Sequence, residues 1–155
     1  MFTLQSDKNF KKILTRFFEI LNIHVEIAEF NTNKSDICIL RNIEDLPNFF
    51  IPNSKYIIVN SDDPELLKKI KNSDGKIISC GLSNRATVTF SSIFEKNGVV
   101  CFQRSFYNLL SVKITPFELP FELYGKIIDE TTVLMIITAA LVCGADINLL
   151  NKIYL

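Results

Sequence analysis

The chain has 155 residues, the length of one domain at roughly 150 residues each, so 1–155 reads as a single unit. Lys plus Arg number 17 and Asp plus Glu 17, with 48% hydrophobic and 22% charged residues. This composition excludes a disordered chain. It also speaks against a nucleic-acid or anionic-membrane partner, which normally leaves a basic excess.

The N-terminal segment MFTLQSDKNFKK lacks the positive head and apolar stretch of a signal peptide. Residues 8–21 place Phe10, Ile13, Leu14, Phe17, Phe18 and Leu21 at three- and four-residue steps, predicting an amphipathic helix capped by Asp7. HVEIAEF (24–30) alternates and predicts a strand, and DICILRNI (36–43) is a continuous apolar strand suited to a buried, parallel position. KYIIVN (55–60) is a strand. NSDDPEL turns into a helix capped by Asp62 or Asp63, with Pro64 early and an end near Lys71. KIISCG (76–81) is the next strand, completing a βαβ unit.

From Ala86 the period changes. Two strands surround the turn Lys96-Asn97-Gly98, and LLSVKITPF (109–117) is a third. A long helix is predicted from about Lys126 to Cys143, ended by Gly144, with a short helix beginning at Asp146. Its uncharged stretch, Thr131 to Ala145, is shorter than the ~20 residues that span a bilayer. It reads as a buried helix, and the expected compartment is the cytoplasm.

Cys38, Cys80, Cys101 and Cys143 each sit in an apolar run, with no C-x-x-C pair, and His24 is the only histidine. Neither zinc nor a disulfide framework is expected; buried, reduced thiols are. His24 reads as strand-edge packing rather than as part of a nucleophilic site.

The ordered series YIIVNSDDPELLKKI, GKIISCGLSNRATVTFSSIFEKNGVVCFQ, LPFELYGK and TTVLMIITAALVCGADI resembles the central, ATP-binding domain of the Mur ligase family. Enzymes of that family join an amino acid to a carboxylate through an acyl phosphate. The matching positions are Asn60, Asp62, Asp63, Pro64, Gly81, Gly125, Gly144 and Asp146. The resemblance implies an α/β fold like that middle domain: a partly parallel sheet flanked by helices, a C-terminal antiparallel hairpin or small sheet, and a long buried helix.

The departures fall on the chemistry. The family's phosphate loop, G-x-x-G-K-[ST], holds polyphosphate on backbone N–H groups and a lysine. It should precede the first helix, where this chain has only MFTLQSDKNF. The family's T-N-I-x-x-D-H segment looks like Arg41-Asn42-Ile43-Glu44-Asp45-Leu46, without its histidine. Ile128 and Thr131 stand where the family has asparagines, one of which contacts adenine. The resemblance therefore implies a relative with no catalytic residue, no cofactor and no metal.

Glu26 and Glu29 lie where the family places a magnesium-binding acid, but without phosphate oxygens to complete the shell they read as solvent-facing. Asn60, Asp62, Asp63 and Arg85 are the candidate ligand-binding residues. Helix capping competes for the two aspartates, and an anion or plain solvent for Arg85.

Three functions are set against each other, one of them a purely structural homo-oligomer. Another is a binding or regulatory module linked to cell-wall (peptidoglycan) precursor synthesis, with another protein or a second copy as partner and no ATP or UDP-linked ligand. Its candidate contact patches are Phe49-Phe50-Ile51 and Phe117 to Tyr124. The third is a subunit of an ATP-dependent amide ligase that a separate chain completes.

Overall fold

A computed structural model describes residues 1–126 and 128–155. Nine strands form one sheet in the order β11-β10-β7-β6-β5-β4-β3-β1-β2. They are β1 (Phe2–Ser6), β2 (Val25–Glu29), β3 (Ser35–Leu40), β4 (Ser54–Asn60), β5 (Lys76–Cys80), β6 (Val88–Phe94), β7 (Asn97–Phe102), β10 (Phe117–Tyr124) and β11 (Lys152–Tyr154). β8 (Phe106–Tyr107) and β9 (Lys113–Ile114) make a separate antiparallel pair. The sheet is parallel from β2 through β6, and β10 also pairs in parallel with β11; β7 runs antiparallel to both β6 and β10. The helices are α1 (Lys8–Ile20), α2 (Pro64–Ile70) and α3 (Glu130–Val142).

The apolar runs of β3 and β4 are continuous because both sheet faces are covered. Ile37, Ile39, Tyr56 and Ile58 face a core shared with α1 and α3, whereas Cys38, Leu40, Ile57 and Val59 face Leu66 and Ile70 of α2. α1 follows β1, yet it also touches β11 at the far end of the strand order. α1 also packs on β2, so the sheet curls and brings its two end strands onto α1.

α3 is buried on every side, from Thr132 to Val142. It ends in a Schellman motif: Gly144 donates to the Leu141 carbonyl at 3.0 Å and Ala145 to that of Ala140 at 2.9 Å. Gly144 takes the required left-handed conformation at φ 88°.

Five expectations need correction. β1 is absent from the sequence reading because Gln5 and Ser6 look like loop residues. Both are buried, and Gln5 is satisfied by Asn31 and by the Asn33 carbonyl, at 3.1 and 2.9 Å. The β6–β7 turn is Glu95-Lys96, with Glu95 at φ 54°. Asn97 and Gly98 already belong to β7; a Cβ on Gly98 would lie 2.8 Å from the Ser92 carbonyl oxygen and 2.9 Å from the Phe121 ring. Close packing, not turn geometry, calls for glycine there.

The expected strand 109–117 breaks up, because the Asn108 side chain accepts the N–H groups of Leu110 and Val112, at 3.0 and 2.9 Å, and folds that segment into a turn. α3 begins at Glu130 rather than near Lys126, where Asp129 caps it by accepting from the Thr132 N–H at 2.9 Å. Ile127, part of the expected helix start, lies outside the described residues. The short helix at Asp146 is a 3-10 turn, Ile147–Leu149, that leads into β11, a strand too short to signal itself.

Candidate functional site

In open α/β sheets, ligands bind outside the carboxyl ends of the parallel strands. Here β1, β3 and β4 deliver Asp7, Arg41 and Asn60 to that edge. A single residue, Asp7, separates β1 from α1. No stretch of successive N–H groups is available there to cradle a phosphate.

Asp7 caps α1, its Oδ1 accepting from the Phe10 N–H at 2.9 Å. The same carboxylate takes a two-pronged contact from Arg41, Nε to Oδ2 at 2.9 Å and Nη2 to Oδ1 at 2.8 Å. Arg41 Nη1 donates to Thr132 Oγ1 at 3.3 Å, and that hydroxyl donates to Asp129 Oδ2 at 2.6 Å. The guanidinium lies 4.6 Å from the Phe10 ring centroid, and Asn60 Nδ2 donates to the Arg41 carbonyl at 3.0 Å.

Side-chain exposure is only 6% for Asp7 and 14% for Arg41, so the ion pair is a part of the interior. Burial pushes the Asp7 carboxyl up. The hydrogen bond and charge of Arg41, with the N–H groups of Phe10 and Asn9, more than offset this and hold it below its ordinary value. The N-terminus of α1 thus faces an internal carboxylate that already has its counter-ion.

Beside this network is a cavity of about 300 Å³, whose lining includes Asp7, Glu29, Asp45 and the single cation Lys8. A polyphosphate placed there meets more negative than positive charge. Among the described residues, no group of three or more His, Cys, Asp or Glu side chains is arranged to hold a metal.

The structure places the sequence-predicted residues as follows. Asn60 Oδ1 accepts the Asp62 N–H at 3.0 Å, shaping the turn after β4. Asp63 is the N-cap of α2, accepting from Glu65 N–H at 3.0 Å, and its other oxygen meets the Ile43 N–H at 3.4 Å. Asp62 is no cap: its Oδ2 accepts from Leu82 N–H at 2.9 Å and ties the β5–β6 loop to the β4–α2 turn. Gly81 permits this, since a Cβ there would lie 2.6 Å from Asp62 Oδ1.

Arg85 is exposed on the β5–β6 loop, apart from the Asp7–Arg41 network, and its carbonyl accepts from Arg104 Nη2 at 3.3 Å. Glu26 and Glu29 point to solvent from the edge strand β2. His24 is exposed and borders a groove of about 490 Å³ between α1 and β2; no serine or cysteine lines it.

Of the candidate patches, Phe49 and Ile51 are 95% and 68% exposed, whereas Phe50 is buried against Phe30 with ring centroids 5.0 Å apart. Phe117–Tyr124 is a core strand and not a surface patch. Leu119 and Phe121 are buried in it, and the alternate residues Glu118, Pro120 and Glu122 are exposed. The sequence identifies Asp7 as a cap but not its partner Arg41, nor the onward links from Arg41 to Thr132 and from Thr132 to Asp129. The available signal was an arginine directly closing the apolar run of β3, a poor place for a cation unless a carboxylate awaits it.

Cys38, Cys80 and Cys143 are buried, and burial pushes each thiol up to about 12. Cys101 is half-buried. Titration of the native protein with a disulfide reagent at pH 7.5 is expected to modify Cys101 first, with the other three following only at the rate of unfolding. In denaturant all four should react at once. Rapid modification of more than one thiol in the native state would contradict this.

At the level of sequence, no protein-family model and no curated protein matches this chain.

Proposed function

We propose that the chain is a Mur-ligase-like central domain acting as a non-catalytic binding or regulatory module, connected through that kinship to peptidoglycan precursor synthesis. One observation carries the non-catalytic reading. The step from β1 to α1 is the single residue Asp7, locked by Arg41, where a nucleotide-binding relative needs a glycine-rich loop. The neighbouring acidic cavity supports it further.

Phe49 and Ile51 are the contact surface for another protein. Phe49 sits at φ 61°, a backbone conformation that strains a bulky residue, and its ring is turned into water while Phe50 anchors the loop. The deciding experiment titrates the protein with magnesium-ATP and with a UDP-linked peptidoglycan precursor by calorimetry. No saturable heat is expected at millimolar nucleotide, and no phosphate release. Saturable micromolar binding that requires magnesium would overturn the reading in favour of a ligase subunit.

A further inference from the structure

The zero net charge of the chain averages over local asymmetry: α1 carries Lys8, Lys11, Lys12 and Arg16 against the single acid Glu19. Where α1 meets Lys126, Ile128 and Leu155, a groove of about 480 Å³ opens, within the range that small ligands occupy. Three of its lining residues are the cations Lys12, Arg16 and Lys126, and no Asp or Glu side chain lines it. None of the three is in an ion pair among the described residues.

Its apolar share comes from Ile13, Ile128 and Leu155, all half-buried and packed on the main core. The groove is therefore the seam at which the curled sheet closes on α1, with core side chains as its floor and cations on its rim.

We propose that this seam binds an organic anion carrying an apolar tail, the head on Lys12, Arg16 and Lys126 and the tail on Ile13, Ile128 and Leu155. Inorganic anions leave the floor wet, and neutral amphiphiles leave three cations without a partner. Only a molecule with both parts satisfies both surfaces. The inference is independent of the Mur-ligase-like reading, since neither the Asp7–Arg41 network nor the nucleotide question enters it.

The test is calorimetric titration with dodecyl phosphate below its micellar concentration. Saturable one-to-one binding is expected. Octyl phosphate should bind at least about tenfold more weakly, since four methylenes are lost from the apolar contact. Inorganic phosphate and dodecyl maltoside should show no saturable binding. Arg16→Glu and Lys126→Glu, both at exposed positions, should keep the wild-type melting temperature and weaken dodecyl phosphate at least about fivefold each.

A second arm sediments the protein with phosphatidylglycerol and with phosphatidylcholine vesicles. Capture by the anionic vesicles alone, abolished in both variants, identifies a membrane lipid as the source of the head; soluble binding without capture identifies a free amphiphile. Equal affinity for dodecyl phosphate and inorganic phosphate, or variants that bind as wild type, would overturn the proposal.

Discussion

Replacing Arg41 by methionine is expected to lower the unfolding free energy at pH 7 by about 2–3 kcal/mol, somewhat under the usual loss when one member of a buried ion pair is removed. Methionine keeps an apolar stem over Phe10, so the change isolates the charge. It leaves the Asp7 carboxylate, 6% exposed, with little beyond the N–H groups at the start of α1. Asp7→Asn should cost less, about 1 kcal/mol, because asparagine still caps α1 and Arg41 reaches water along its exposed side. The double variant should lose less than the two single losses combined, since both act on one contact.

The pH dependence has a definite sign. The folded-state pKa of Asp7 is depressed, so its contribution is complete above the unfolded value near 3.9 and disappears as pH falls through the folded one. In Arg41→Met the unpaired, buried carboxyl is instead easier to protonate. The gap between variant and wild type should therefore narrow as pH falls below about 4. Urea unfolding at pH 7 and pH 3 measures both; a gap that widens in acid would show that Asp7 does not draw its charge stabilisation from Arg41.

The parts of the fold that sequence exposes are those whose periodicity is clean. α1 has one apolar face, β3 and β4 are apolar throughout because both faces are covered, and α2 has Asp63 and Pro64 at its start. β1 hides because its polar residues are buried and answered from a distance by Asn31, Asn33 and Asp36. Asn97-Gly98 misleads because the pair is a strong turn signal, yet glycine is held there by the Phe121 ring.

The candidate site divides in the same way. Asp63 as a cap is a local event spanning two residues, and local events are legible. The Arg41–Asp7 and Arg41–Thr132 contacts join residues 34 and 91 positions apart, and only the topology reveals them. Asp62 looks local but reaches across to Leu82, so proximity to a helix start was an insufficient guide to its role.

Leu134→Ala and Ile136→Ala should each cost about 3–4 kcal/mol, the range for large-to-small changes in a well-packed core. The comparison matters more than either value. Two positions apart on a helix are about 200° apart around its axis, so an ordinary surface helix exposes one when it buries the other. α1 does this: Phe17 is buried while Thr15 and Glu19 are exposed. In α3, Leu134 and Ile136 are both at 0% exposure, since α3 packs on β4, β5 and β6 and lies within a core cluster that also takes in side chains of α1.

Thr138→Val gives the control. Its hydroxyl donates to the Leu134 carbonyl at 2.7 Å and sits 3.5 Å from Cys80 Sγ, bonds that valine removes at nearly constant volume. A change within about 1 kcal/mol is expected. Urea unfolding at pH 7 reads all three variants, and a loss below about 1 kcal/mol for either Leu134 or Ile136 would mean that α3 has a free face. α3 also carries Thr132 to Arg41 and Asp129. A core that grips this helix all round thereby fixes the register of the ion-pair network at the sheet edge, and loosening the helix should weaken the coupling between Asp7 and Arg41.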